Sequence, residues 1–266
     1  PSATLNGNPD LLLADENVYD PDTNSGFYIR QDSNDSDSFD SDMSIAAGYV
    51  SEEFKAMFAV LGLLVSVEGL VGSGKSTLLK RIITSNLEIL KSFGVLVEPH
   101  TQWQHLDSFY HQEPNAAGYM QLDVLFTMVL PMHLKQLAGF NQLRERSSIS
   151  TLIFATLLYR ANLIDKDLFQ MIKYTIQHQC PLKYTAMYLV DTPPNVCLER
   201  AQQRNHDLLL KGDTSRVAEV ANLSLQYLTD LDYLHRVILS KMDIPVIILD
   251  GQSSPDEVFK SFFESI

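Results

Sequence analysis

Cysteine is nearly absent: Cys180 and Cys197 are the two in 266 residues. They match neither a metal-site spacing nor a disulfide framework, and each reads as a small buried apolar side chain in a reducing compartment. Positive charge is also scarce. Lys and Arg number 20 against 33 Asp and Glu, a formal net charge of −13, so there is no basic excess for gripping a nucleic-acid backbone. No apolar run reaches the roughly 18 residues of a membrane span, and the first residues lack the pattern of a signal peptide. The expectation is a soluble protein of cytosol or nucleus, with neither membrane nor nucleic acid as partner. The chain opens on Pro1 rather than Met, which suggests processing or trimming.

The acids are unevenly spread. Twelve of them precede Phe54, against the single base Arg30, so that segment carries −11 and only −2 remains for the rest. The run from Asp32 to Asp42 alternates acids with serine and offers little to bury, so ordering it would cost entropy without return. Residues 1–50 are therefore expected to be a disordered acidic tail that is not a mitochondrial presequence, and 51–266 a single α/β domain.

Apolar periodicity supports that division. Leu61 to Val67 reads as a buried strand, and Leu78, Leu79, Ile82, Ile83, Leu87 and Leu90 recur at helical spacing up to Gly94. Val95 to Val97 predicts a second strand ending at Glu98-Pro99, Ala117 to Leu137 a helix, and Gly139 to Leu143 a weak strand. Helices over Thr151–Leu163 and Lys166–Gln179 precede a strand at Met187–Val190 and a helix opening at Pro193-Pro194. One longer helix carries Leu223 to Ile238, and Pro245–Leu249 is a last strand before a helix capped at Ser254-Pro255. Strands alternating with helices imply a parallel β-sheet flanked by helices on both faces, with ligands at the carboxyl ends of the strands.

Between the first strand and helix stands Gly69-Leu70-Val71-Gly72-Ser73-Gly74-Lys75-Ser76-Thr77, a complete GxxxxGKS phosphate-binding loop. Its glycines let backbone N–H groups and the helix N-terminus close around phosphate oxygens. Lys75 would reach the β- and γ-phosphates, and Ser76 would hold magnesium. The donor is thus ATP or a similar nucleotide with Mg2+.

Further motifs follow in order. Glu98-Pro99 leads to Trp103, Tyr110 and Gln121, then Arg144-Glu145-Arg146-Ser147, then Thr192-Pro193-Pro194 with Arg200 and Arg204 on one helix. This ordered set, over about residues 60–250, resembles the deoxynucleoside kinase family, which includes thymidine kinases of the herpesviral type and deoxycytidine kinase. The resemblance implies a P-loop kinase fold and ATP-dependent phosphorylation of a deoxynucleoside 5′-hydroxyl. Glu98 would accept the hydroxyl proton, Arg146 would orient Glu98, and Glu145 would assist magnesium. Phosphoryl transfer needs positioning and cations more than a strong base, so a carboxylate of ordinary pKa near ~4.3 suffices.

By the same similarity Trp103 lies beside the base, Gln121 pairs with its edge, and Tyr110 sits by the sugar. Met128 and Thr151 stand where deoxycytidine kinase carries charged groups, which favours thymidine or another pyrimidine deoxynucleoside. Arg200 and Arg204, four apart on one face, would close as a lid over ATP. His206 replaces a usual arginine, and Leu208-Leu209-Leu210 replace usual acids, one of which normally helps hold the sugar; Asp207 is the nearest substitute. Family members commonly form homodimers.

Three other readings compete. A thymidylate kinase shares the loop and the Glu-Pro corner but needs cations for an acceptor phosphate and usually has tyrosine where Ser147 stands. A switch or mechanical ATPase draws on Asp191 and Asp250 at strand ends, yet the chain contains no DxxG triplet. A non-catalytic nucleotide binder would follow if the altered lid had lost transfer.

Overall fold

The computed structural model describes residues 61–85, 88, 91–113, 115–213 and 217–265. The expected acidic tail lies outside these residues, as do Leu87 and Leu90. Five strands, β1 (Leu64–Glu68), β2 (Phe93–Leu96), β3 (Asn141–Glu145), β4 (Ala186–Asp191) and β5 (Val246–Asp250), form one sheet in the order β2-β3-β1-β4-β5. Every neighbouring pair is parallel.

The chain leaves β1 towards β2 at one edge, returns to β3, and crosses to β4 on the other side of β1. The crossover directions therefore diverge between β1 and β3, and a crevice opens there at the carboxyl ends. The loop after β1 and the Glu145-Arg146 pair at the end of β3 flank that crevice.

Alternation along the strands divides the core. Val67, Leu143, Tyr188, Val190 and Leu249 pack under helices α1 (Lys75–Thr84) and α10 (Pro255–Glu264). Leu64, Met187 and Leu189 face the other way, against α5 (Ser148–Arg160) and α9 (Leu225–Leu239). The remaining helices are α2 (Leu106–Tyr110), α3 (Ala116–Val124), α4 (Leu130–Leu137), α6 (Lys166–Tyr174), α7 (Pro194–Leu210) and α8 (Val217–Asn222).

Several expected boundaries move, each for a local reason. Helix α1 stops at Thr84, where the Ser85 N–H and hydroxyl both donate to the Ile82 carbonyl, short of the expected Gly94. The weak strand lies two residues later than its apolar run, because Gln142 and Arg144 are buried in it: the Gln142 amide donates to the Met132 carbonyl at 3.0 Å and its oxygen accepts from Arg144 at 3.1 Å. Helix α5 begins at Ser148 rather than Thr151, since the Ser147 hydroxyl accepts from the Ile149 and Ser150 N–H groups at 3.1 and 3.2 Å. The late helix expected from Leu223 to Ile238 begins at Leu225 as α9, where the Ser224 hydroxyl caps it by accepting from Tyr227 N–H at 3.1 Å, and a short helix that was not expected, α8, precedes it.

The expected helix from Ala117 to Leu137 runs continuously from α3 to α4 through a wide π-turn, Leu125–Val129. Pro131 has no N–H to donate to the carbonyl four residues back and would crowd it. The wider turn accommodates that ring without breaking the helix.

Candidate functional site

The phosphate loop is shaped by backbone that side chains rarely adopt. Gly69, Gly72 and Gly74 have φ of 135°, 84° and 110°. A Cβ at Gly72 would lie 2.3 Å from the Cys197 carbonyl oxygen on α7, so only glycine lets loop and helix meet there. Gly74 caps α1, with Lys75, Ser76 and Thr77 in its first turn, where free N–H groups concentrate. Ser73 is buried and its hydroxyl has no hydrogen-bond partner among the described atoms.

Lys75 is buried, and its Nζ donates to the Leu70 carbonyl at 2.8 Å. Burial first, and then Arg146 nearby, lower its pKa to about 8 against the opposing pull of Glu145, Glu98 and Glu68. The loss of water outweighs these carboxylates, so a further negative group would favour the charged ammonium.

Four groups converge from three elements. The Ser76 hydroxyl donates to Glu145 Oε1 at 2.7 Å, and Glu145 Oε2 accepts from the Glu98 backbone N–H at 3.4 Å. Glu98 Oε1 lies 2.8 Å from Arg146 Nε. The N–H does not point along that line, so the contact is an ion pair rather than an aligned hydrogen bond. Arg146 also donates to the Gly69 carbonyl at 3.2 Å and rests over the Phe154 ring at 4.8 Å.

Electrostatics agree with this placement. Burial alone would raise the Glu145 pKa, but Lys75, the Ser76 hydroxyl and Arg146 together lower it, so the carboxylate is ionised. For Arg146 burial opposes the charge, yet Glu98, Glu145 and Glu68 raise its pKa overall. Arg146 has φ of 64°, a left-handed conformation that costs on the order of 1–3 kcal/mol outside glycine. Its N–H is held by the Val67 carbonyl at 3.0 Å while Ser147 starts α5, and together these fix the turn.

The remaining expected residues lie around this centre. Trp103 is buried, its indole N–H donating to Thr127 Oγ1 at 2.9 Å, which ties it to the π-turn that carries Met128. Gln121 on α3 is 5% exposed, and its Oε1 has no hydrogen-bond partner among the described atoms. Met128 is buried beside Trp103 in the same cluster, and the Thr151 hydroxyl donates to the Ser147 carbonyl at 3.4 Å. Tyr110 ends α2, where its carbonyl accepts from Asn222 Nδ2 at 2.6 Å.

Arg200 and Arg204, the two arginines expected to form a lid, are engaged with protein. Arg200 donates to the Gly251 carbonyl at 2.8 Å, and Arg204 lies 3.4 Å from both oxygens of Glu219. Asp207, the nearest substitute for the family's usual acid, is exposed and accepts from Gln203 at 2.8 Å. The buried acid on this side is Glu219, on α8.

A profile of the deoxynucleoside kinase family matches residues 65–266. The chain belongs to this family. Its reaction class is therefore ATP-dependent phosphorylation of a deoxynucleoside. Solved structures of the same fold include deoxyadenosine kinase from M. mycoides with bound dATP, at TM-score 0.61 and 15% identity over 76% of this chain and 98% of that one. The same enzyme with bound dCTP gives TM-score 0.60 and 16% identity at the same coverages. With dCMP and a flexible dCDP it gives TM-score 0.58 and 17% identity, again over 76% and 98%. Comparison with curated proteins finds no match by sequence.

Some of this kinase's site was not apparent from its motifs. Glu68, fully buried at the end of β1, accepts from the Ser150 hydroxyl and contributes to the field on both Lys75 and Arg146. A carboxylate just before the loop glycine was its visible signal. Glu219 had none, because no chemical motif surrounds it. His100, two residues after Glu98, lies with its Nε2 3.3 Å from Glu98 Oε2.

Proposed function

We propose that the kinase transfers the γ-phosphate of ATP to the 5′-hydroxyl of a pyrimidine deoxynucleoside, with thymidine preferred. The observation that carries this reading is the chain of contacts from Ser76 through Glu145 to Glu98 and Arg146, which sets a carboxylate against an arginine beside the phosphate loop. The substrate oxygen forms its bond to Pγ as the bond from Pγ to the β-γ bridging oxygen breaks, and ADP leaves with that electron pair. Glu98 takes the hydroxyl proton late in this process. Arg146 holds Glu98 and meets the charge spreading over the phosphoryl oxygens.

Ser76 and Glu145 suit a divalent cation, since a hydroxyl and an ionised carboxylate already meet at 2.7 Å beside the loop. Magnesium bound there would neutralise charge on the β- and γ-phosphates. Gly69, Gly72, Ser73, Gly74, Lys75 and Thr77 hold the phosphates, and Arg200 and Arg204 exchange their present partners for ATP when it binds.

Gln121 supports a nucleoside rather than a smaller alcohol, because its buried, unpartnered amide oxygen needs a donor such as a base edge provides. Met128 and Thr151 add no charge around it. Tyr110 and Glu219 serve the sugar side, because Asn222 on the helix of Glu219 bonds to Tyr110. Deoxyadenosine is the second reading, since the structural neighbours are named deoxyadenosine kinases and an amide reads adenine equally well. The catalytic unit is residues 51–266, with 1–50 an acidic appendage.

Transfer from ATP to thymidine, deoxycytidine, deoxyadenosine and thymidine monophosphate, by wild type and Glu98→Gln, tests the proposal. The expected result is highest kcat/KM on thymidine and a loss of about 10²- to 10⁴-fold in kcat for the variant. Equal rates for the two proteins would overturn the role of Glu98, and preference for the monophosphate would favour a thymidylate kinase.

A further inference from the structure

Glu98 uses its two oxygens differently. Oε1 faces Arg146 at 2.8 Å, and Oε2 faces His100 Nε2 at 3.3 Å. The imidazole is held in place on two sides. Its backbone N–H donates to the Glu98 carbonyl at 3.0 Å, opening the short turn His100–Gln102, and its ring meets Trp103 edge-to-face with centroids 4.8 Å apart. The His100 side chain is 31% exposed where that of Glu98 is 11% exposed, so the imidazole stands between the carboxylate and water.

We propose that His100 is a second member of the proton-accepting site, taking from Glu98 Oε2 the proton that Glu98 receives from the substrate hydroxyl and releasing it to solvent. This rests on the kinase reading above. The proton is transferred from Oε2 to Nε2 of the neutral ring, Glu98 returns to carboxylate, and the imidazolium later gives one proton to water. An imidazole is a stronger base than a carboxylate, so it is suited to take the proton on from Oε2. When His100 is already protonated it donates to Oε2 instead, and that oxygen is a poorer acceptor.

The other charged groups of the site are Arg146 and Glu145 from the end of β3, Lys75 from the phosphate loop, and Glu68 beneath it. Further along the chain from Trp103, His105 is paired with Asp123 at 3.0 Å. These remain in a His100 variant, so a change confined to the imidazole pH range reports His100 itself.

The test is the pH dependence of kcat at saturating ATP and deoxynucleoside for wild type, His100→Gln and His100→Ala, with and without added imidazole. Wild-type kcat is expected to rise with pH as the imidazole loses its proton. That limb should vanish in His100→Gln, with kcat at pH 7.5 lower by about 10-fold, less than a primary base contributes, and KM for ATP changed less than twofold. Imidazole should restore part of the His100→Ala rate. An identical limb in wild type and variant overturns the relay, and so does an equal fall at every pH without rescue, which would be a structural role. Absence of transfer by the wild type would instead overturn the kinase reading, and the relay with it. The pair itself is read without turnover by NMR titration of the His100 ring, whose midpoint should fall in Glu98→Gln; an unmoved midpoint also overturns the proposal.

Discussion

Lys75 illustrates how a single buried cation is prepared for an anion. Its pKa is lowered to about 8, chiefly because burial strips the ammonium of water and secondly because Arg146 repels it. A bound triphosphate favours the protonated form, so the pKa in the complex lies above 8. Between the two values the complex holds more protons than the free protein and nucleotide. ATP binding at pH 8 should therefore take up about half a proton at Lys75, and affinity should weaken as pH rises above 8. Calorimetry in two buffers of different ionisation enthalpy measures this; at pH 6.5, where Lys75 is already charged, its contribution should be near zero. Lys75→Met should abolish the difference between the two pH values along with most of the affinity.

The residue that joins two elements here is Ser147. It stands between the strained Arg146 and helix α5, is fully buried, and satisfies two N–H groups at 3.1 and 3.2 Å. Removing the hydroxyl in Ser147→Ala leaves two buried donors without that acceptor, at a cost of about 2 kcal/mol, the upper end for a helix cap. For a domain of this size that is a fall in Tm of roughly 4–8 °C, measurable by calorimetry. Ser147→Thr, which keeps the oxygen, should lose less. Similar reasoning explains why element ends were harder to read than element interiors. The strand Asn141–Glu145 buries Gln142 and Arg144, and its apolar count is therefore low. Its position is set by pairing with β1 and β2 on either side, from Leu64↔Gln142 to Leu96↔Arg144.

Over the whole molecule, the phosphate loop, the Glu98 corner and the Glu145-Arg146 pair come together because β1, β2 and β3 are adjacent and parallel. Away from that rim an apolar stripe is left uncovered. Phe126, Leu130 and Leu134 are 65%, 37% and 55% exposed at intervals of four along one helix, with Tyr119 a turn or two earlier. The homodimer expected from the family resemblance would cover such a stripe, because an isolated domain rarely leaves so many large side chains in water. Light scattering after size exclusion should give twice the chain mass for wild type and the single-chain mass for Phe126→Asp. A monomeric wild type would remove that expectation. Among the described residues no helix is long and apolar enough to cross a membrane.

The motifs between Gly69 and Ser147 were legible in the sequence because each rests on local chemistry. Glycines that must adopt positive φ, a lysine after them, a Glu-Pro at a strand end and a Glu-Arg-Ser after another are fixed by residue type and spacing. They named a nucleotide donor, and in their order they carried the family resemblance from which the reaction class and the proposed role of Glu98 follow. Only tertiary structure decided that Arg200 and Arg204 meet Gly251 and Glu219, that Asp207 faces solvent, and that His100 turns its ring onto Glu98. Those outcomes depend on how α7, α8 and the turn after β2 are packed against distant elements, a long-range matter that no local spacing encodes.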